Sequence, residues 1–205
     1  MALGAGAGGI LAAIAGLHWI GAAMLLVAIA IAAFFRDPDR TAPAAKGIVL
    51  SGADGKVTSI SEHAPPGLEG NFHRVSVFMS PLNVHVNRAS VGGEVVSLQH
   101  TPGEFRAAFS DYASEHNERN LIVLEGADGA RHAMVQVAGY LARRIVCRLQ
   151  NRDKVDAGQR IGLIMFGSRV DHFMPFQYRV VVRVGQRVRA GESVIGELMT
   201  GARTQ

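Results

Sequence analysis

Two patterns of apolar residues divide the chain. From Ala2 to Phe35, 34 residues carry no charge, and the run is broken only by glycines and by His18-Trp19. As a helix this segment extends about 51 Å at ~1.5 Å per residue, against ~30 Å for the hydrocarbon core of a bilayer. Positions 21–35 are the densest apolar stretch, and 2–17 form a weaker one rich in Gly and Ala. A single span with a loose N-terminal extension and a shallow re-entrant hairpin both fit this pattern.

Beyond residue 40 the pattern changes. A Pro/Ala linker runs from Arg40 to Lys46, and then short apolar runs are punctuated by Gly, Asp and Pro every 8–14 residues. That spacing predicts a mostly β domain. Strands are expected over 47–50, 56–60, 73–79, 93–98, 121–125, 132–137, 145–148, 160–165 and 178–184. The last alternates, with Val180, Val182 and Val184 on one face and Arg179 and Arg183 on the other. Phe105, Ala108, Phe109, Tyr112 and His116 follow helical spacing after Pro102-Gly103, which predicts one short helix there.

One weak repeat joins two of these regions. Residues 154–161 (KVDAGQRI) match 187–194 (RVRAGESV) in the pattern V-x-A-G-x-x-[IV], which places a glycine in a turn between two short strands. Similar hairpins occur in lipoyl- and biotinyl-type carrier domains. Those modules present a lysine at the turn, and the three lysines here, Lys46, Lys56 and Lys154, are in no such setting. The repeat therefore bears on fold. The expected class is mostly β (α+β): a β-sandwich-like domain with lipoyl-like hairpins behind an N-terminal hydrophobic helical anchor.

Charge sharpens the division. All 21 Lys and Arg and all 17 Asp and Glu lie beyond Phe35. A cleavable secretory signal is disfavoured, although Ala28-Ile29-Ala30 offers a small-x-small pattern. No basic residue precedes the apolar run, and the run far exceeds an h-region. Arg36 and Arg40 just after it favour a soluble domain on the cytoplasmic face of the cell membrane. The C-terminal part, 131–205, carries a net charge of +8, against −4 for 36–130. A basic half beside an anchor is drawn to an anionic membrane surface. No helix-turn-helix, zinc finger or aromatic-basic motif accompanies that charge, so nucleic acid is not an expected partner. Cys147 is the only cysteine, which excludes an intrachain disulfide and a cysteine zinc site, and its apolar-basic setting reads as core. No metal-ligand spacing emerges among the histidines.

Three segments hold candidate reacting groups. In 50–57 the pair Asp54-Gly55 reads first as a hairpin turn. In 80–88, His85 stands between two valines, the ordinary setting of a packed imidazole. In 161–171, Gly167-Ser168 follows a strand and reads first as a turn. Singly each is weak. Together they contain the parts of an Asp-His-Ser constellation, which geometry rather than chain order defines.

The strings FFRDP (34–38), SGADGKV (51–57), SPLNVHVNR (80–88), PGEF (102–105), ASEHNERN (113–120) and IGLIMFGSRVD (161–171) make the chain resemble the phosphatidylserine decarboxylase proenzymes, in their short prokaryotic form. The match holds in register from about 34 to 198, and the pairing of SPLNVHVNR with FGSRVD is its most specific part. The resemblance implies a pyruvoyl-dependent carboxy-lyase of phospholipid biosynthesis, self-cleaved between Gly167 and Ser168 into a β chain (1–167) and an α chain (168–205). By that likeness, Ser168 attacks the Gly167 carbonyl and becomes the covalent pyruvoyl cofactor, which forms a Schiff base with phosphatidylserine. His85 stands where the family has its base and proton carrier, and Asp54 where it has the carboxylate that orients that base. An α/β heterodimer follows, and a higher homo-oligomer is compatible with it. Longer members have a second histidine three positions before this one; here that position is Leu82, so its role does not transfer, and Asn83 and His116 are candidates to replace it. Two other readings remain open: the same chemistry on archaetidylserine or another serine-headed lipid, and a non-catalytic membrane adaptor with lipoyl-like hairpins.

Overall fold

The computed structural model describes residues 2–106, 116–140, 144–165 and 167–199, with side chains from residue 14 onward. The chain divides into two compact units, 1–36 and 37–205.

The first unit is one helix, α1 (Ala2–Phe34), unbroken rather than folded into a hairpin. Its glycines would weaken a helix in water, but an apolar medium offers the backbone no other hydrogen-bond partners. Within it, Ile14–Phe34 is 21 residues long with a mean hydropathy of 2.2. That is about 32 Å of helix, long and apolar enough to cross a bilayer. At its end Arg36 Nη1 donates to the Ala33 carbonyl at 2.7 Å, satisfying one of the last unpaired carbonyls. Pro38 follows, where a helix cannot continue.

The second unit is mostly β. Its strands are β1 (Ile48–Leu50), β2 (Gly55–Glu62), β3 (Phe72–Met79), β4 (Val86–Arg88), β5 (Gly93–Thr101), β6 (Arg119–Gly126), β7 (Arg131–Val137), β8 (Ile145–Cys147), β9 (Lys154–Val155), β10 (Arg160–Ile164), β11 (Ser168–Pro175), β12 (Tyr178–Val180), β13 (Arg187–Val188) and β14 (Val194–Leu198). Eight form one sheet in the order β13-β2-β3-β11-β7-β6-β5-β9, and two three-stranded sheets run β1-β14-β12 and β4-β10-β8. One core joins all three sheets, with Val49, Val75, Val77, Met79, Ile122, Met134, Ile161, Ile164, Val170 and Ile195 fully or almost fully buried. A smaller cluster of Phe72, Leu121, Val123, Val135, Val137 and Phe173 lies on the other face of the large sheet. Cys147 is half-buried against the main core, as its setting predicts.

Several expectations are corrected. The repeat's glycines do sit in turns between short strands, with Gly158 and Gly191 at φ 80° and 74°. These turns do not close hairpins. β9 pairs with β5 while β10 pairs with β4 and β8; β13 pairs with β2 while β14 pairs with β1 and β12. Each turn carries the chain from one sheet to another. Asp54-Gly55 likewise links β1 and β2, which belong to different sheets, and is no hairpin. The strand expected over 178–184 stops at Val180, because Arg183–Gln186 turns the chain toward β2: Gln186 N–H bonds the Arg183 carbonyl at 3.1 Å, and Gly185 N–H bonds Val57 at 2.8 Å. Of the short helix expected over 105–116, positions 107–115 lie outside the described residues. Its flanks are held together, since Glu104 N–H bonds the His116 carbonyl at 2.7 Å.

The longest strand outside the expected ranges is β11. It lies between β3 and β7, and Ser168–Met174 are buried throughout. Ser168, Val170, His172 and Met174 face the main core, and Arg169, Asp171 and Phe173 face the smaller one. Polar groups survive there because they are paired: Arg169 Nε meets Asp171 Oδ1 at 2.9 Å, both side chains being 2% exposed.

Candidate active site

Ser168 opens β11 opposite Met79, the last residue of β3. It is fully buried, and its hydroxyl faces the Met79 sulfur at 3.6 Å. The residue before it, Gly167, has φ 66°, a left-handed conformation that other residues adopt only at a cost of ~1–2 kcal/mol. A Cβ built at Gly167 meets nothing within 4 Å, so backbone conformation alone asks for glycine there.

His85 reaches the same neighbourhood by another route. After β3 the chain reverses through 80–83: Asn83 N–H bonds the Ser80 carbonyl at 2.9 Å, and the Asn83 side-chain oxygen accepts from Ser80 N–H (2.9 Å) and Oγ–H (2.7 Å). Leu82 stands at the tip, 84% exposed, and His85 follows at 3%. Its Nδ1 lies 2.9 Å from the Asn83 carbonyl. A carbonyl can only accept, so Nδ1 carries the proton and Nε2 is left as the basic nitrogen. The His85 carbonyl in turn accepts from Ile164 N–H at 3.3 Å, four residues before Ser168.

Asp54 ends the 51–54 loop between β1 and β2. Among the described residues its carboxylate bonds not to His85 but to Arg40 and the Ala190 N–H. Arg40 grips both oxygens, Nη2 lying 2.9 Å from Oδ2, while Ala190 N–H donates to Oδ1 at 2.8 Å. Arg40 Nη1 also donates to the Ala190 carbonyl at 2.8 Å. The hydrogen bond to Asp54 raises the Arg40 pKa above its ordinary value, outweighing the opposing effect of burial. The Asn83 carbonyl is thus one group that orients His85, while the Asp54 carboxylate is engaged by Arg40 and Ala190.

The loop holding Asp54 is nonetheless seated against the strands that carry the other two residues. The Gly52 carbonyl accepts from Arg88 N–H at 2.9 Å and from the Asn87 amide at 3.4 Å. Gly52 N–H donates to His172 Nε2 at 2.7 Å, and His172 Nδ1 donates to the Val75 carbonyl at 3.2 Å. Burial holds the His172 pKa at about 4, so this ring is neutral and can accept from Gly52. The Asn87 amide also reaches the Met79 sulfur at 3.7 Å, and its oxygen accepts from Gln136, which accepts from Asn120. The three segments singled out in the sequence therefore converge. Arg40, Met79 and His172 were not legible as parts of the site, and Asn87 lay within the 80–88 segment without an assigned role. Arg40 read as a positive flank of the apolar run, Met79 as a strand residue and His172 as a surface or strand histidine. Among the described residues no group of three or more His, Cys, Asp or Glu is gathered in a way that could hold a metal ion.

A mostly β chain with a buried Gly-Ser junction, an oriented histidine whose backbone is bonded to the strand just before that junction, and an apolar leading helix is the class that fold and site define. Residues 27–196 match the family model described as phosphatidylserine decarboxylase. The chain is 46% identical over 185 residues to a phosphatidylserine decarboxylase proenzyme of Mycolicibacterium smegmatis, covering 88% of this chain and 80% of that one. It is 47% identical over 183 residues to the proenzyme of Chlorobium phaeovibrioides, covering 89% and 83%. With that of Saccharopolyspora erythraea it shares 46% over 187 residues, covering 88% and 79%. The chain belongs to the phosphatidylserine decarboxylase family.

Proposed function

We propose that this chain is the precursor of a phosphatidylserine decarboxylase, which cleaves itself between Gly167 and Ser168 and converts phosphatidylserine to phosphatidylethanolamine and CO2. The observation that carries the reading is the Gly167-Ser168 junction: a left-handed glycine with no side chain to shield its carbonyl, followed by a serine at the head of the buried central strand.

Self-cleavage uses this chain's own atoms. Ser168 Oγ adds to the Gly167 carbonyl carbon, the peptide C–N bond breaks, and residue 167 becomes an ester on residue 168, whose amino group is freed. Loss of the Cα proton of 168 expels the Gly167 carboxylate by β-elimination. The resulting enamine tautomerises, takes up one water and releases ammonia, leaving a pyruvoyl group on residue 168. His85 Nε2 takes the serine proton, and the Asn83 carbonyl keeps the ring in the tautomer that allows it.

The residues present suit that group: its source is Ser168 itself, and the site offers it neutral, polarisable surroundings in Met79 and an uncharged His172 on the same strand face. A pyruvoyl carbonyl at residue 168 supplies the electron sink for the pair released as CO2 leaves. His85 then holds the proton that must be returned to carbon. The apolar helix keeps the domain beside a lipid substrate, and Arg36 and Arg40 after it favour the cytoplasmic face of the cell membrane. The mature molecule is an α/β pair of chains.

The test is a denaturing gel of purified full-length protein with mass spectrometry. Two chains, 1–167 and 168–205, are expected, the smaller blocked at its N-terminus, and Ser168→Ala leaves one intact chain. Active wild-type protein consisting of intact chain overturns the reading.

A further inference from the structure

The segment 37–40, which follows the apolar helix, is fastened to the domain at every residue. Asp37 and Asp39 pair with Arg160 (2.8 and 2.7 Å), and the Pro38 carbonyl accepts from Arg88 at 3.0 Å. Arg40 closes the series on Asp54. The two outer pairs are exposed and weakly held. The Arg40–Asp54 pair differs, with side-chain exposures of 7% and 11%. Burying an ion pair is costly, and extended segments at a domain surface ordinarily keep their arginines in water. This one turns inward, grips both carboxylate oxygens and ties off the Ala190 carbonyl.

Asp54 ends the 51–54 loop, whose other contacts lead to Ser168. Gly52, two positions earlier, is bonded to Arg88 N–H, to the Asn87 amide and to His172, which lies four residues after Ser168 on the same strand face. The same Asn87 amide touches the Met79 sulfur that the Ser168 hydroxyl faces. The loop that Asp54 anchors thus connects it to the junction, and Arg40, with the Ala190 N–H, holds Asp54.

We propose that Arg40 is a positioning residue for self-cleavage, clamping Asp54 and with it the 51–54 loop against the strands that present His85 and Ser168. This rests on cleavage at Gly167-Ser168 as proposed above. The segment leaving the anchor helix thereby supplies a working part of the maturation site.

The experiment follows cleavage of newly made full-length protein by gel for wild type, Arg40→Met, Arg40→Lys, Asp54→Asn and the Arg40→Met/Asp54→Asn pair. Arg40→Met is expected to slow cleavage at least about tenfold. Arg40→Lys recovers part of the rate, since it restores the charge without the two-pronged grip. The double variant is no slower than the slower single one, because both changes remove the same contact. Should Arg40→Met not fold, Arg40→Lys decides: slowed cleavage at an unchanged melting temperature supports the proposal, and a wild-type rate overturns it. Wild-type cleavage in Arg40→Met, or losses that multiply in full in the double variant, also overturn it. Failure of the wild-type chain to cleave at 167–168 overturns the underlying reading instead, so the two failures are distinct.

Discussion

His132 offers a quantitative test of how this core is held. It lies on β7, 1% exposed, edge-on to Tyr178 with ring centroids 4.7 Å apart. Neither of its ring nitrogens takes a hydrogen bond from a described residue. Burial lowers its pKa to about 4, with Asp128 opposing weakly. Above pH ~6.5 folded and unfolded chains both hold the ring neutral and nothing is lost. Between about 6.5 and 4 only the unfolded chain takes up the proton, so stability falls as pH falls, and below about 4 the loss levels off. From pH 7 to pH 5 this amounts to about 2 kcal/mol for His132. His172, also held at about 4, adds a similar amount. Replacing His132 with Phe keeps the ring contact with Tyr178, abandons no hydrogen bond and removes one of the two protonations. In a Ser168→Ala background, which keeps one chain, melting curves at pH 7 and pH 5 are compared. The drop on acidification should shrink by about 4–8 °C in His132→Phe, at ~2–4 °C per kcal/mol for a domain of this size. An equal drop in both proteins refutes the argument.

Two further substitutions separate space from conformation at glycines. Gly52→Ala places a Cβ 2.1 Å from the Met134 methyl and 2.6 Å from the Arg88 carbonyl, which cannot yield without breaking the loop's seat on β4; a loss of about 3 kcal/mol is expected in urea unfolding of the Ser168→Ala precursor, together with slower cleavage in the Ser168 protein. Gly167→Ala meets no neighbour, so the precursor folds with a melting temperature only a few degrees lower; the strain of ~1–2 kcal/mol at φ 66° instead drives the turn out of shape and slows cleavage about tenfold on a gel time course.

What was legible in the chain, and what was not, follows from the physics of each element. The apolar helix and most strands announced themselves, because half-buried strands alternate and their ends carry Gly, Pro and Asp. β11 did not, because its polar residues are neutralised by one another and by partners distant in sequence: Arg169 by Asp171, His172 by Gly52 and Val75. Period-based reading sees a charge and infers water. The repeat revealed its glycine turns but not their pairing, since one local pattern serves a hairpin and a crossing between sheets equally well. In the site, Gly167, Ser168, His85 and Asp54 were weak candidates by type, and the family resemblance singled them out. The partner of Asp54 was not singled out. Arg40 is 14 positions away, where it read as a positive flank of the apolar run at the head of a linker, and only the three-dimensional path brings it back.

The placement of Ser168 also bears on why cleavage there is tolerable and why it would end in a carbonyl. Three of the four described strands after residue 167 are bound to strands before it: β11 pairs with β3 from Ser168 to Pro175 and with β7 from Arg169 to Phe173, β13 pairs with β2, and β14 with β1, while β12 is held through β14. Breaking the 167–168 peptide bond would release none of these strands, and the pairings would hold the proposed 168–205 chain without a disulfide, Cys147 being the only cysteine. The chain end so created, however, lies at a position with no exposed surface. Simple hydrolysis would leave an ammonium group there, and an uncompensated buried cation costs several kcal/mol. Cleavage through the serine ester, with loss of ammonia, replaces that charge by a neutral carbonyl. The buried strand end thus favours the same product that the decarboxylation chemistry requires.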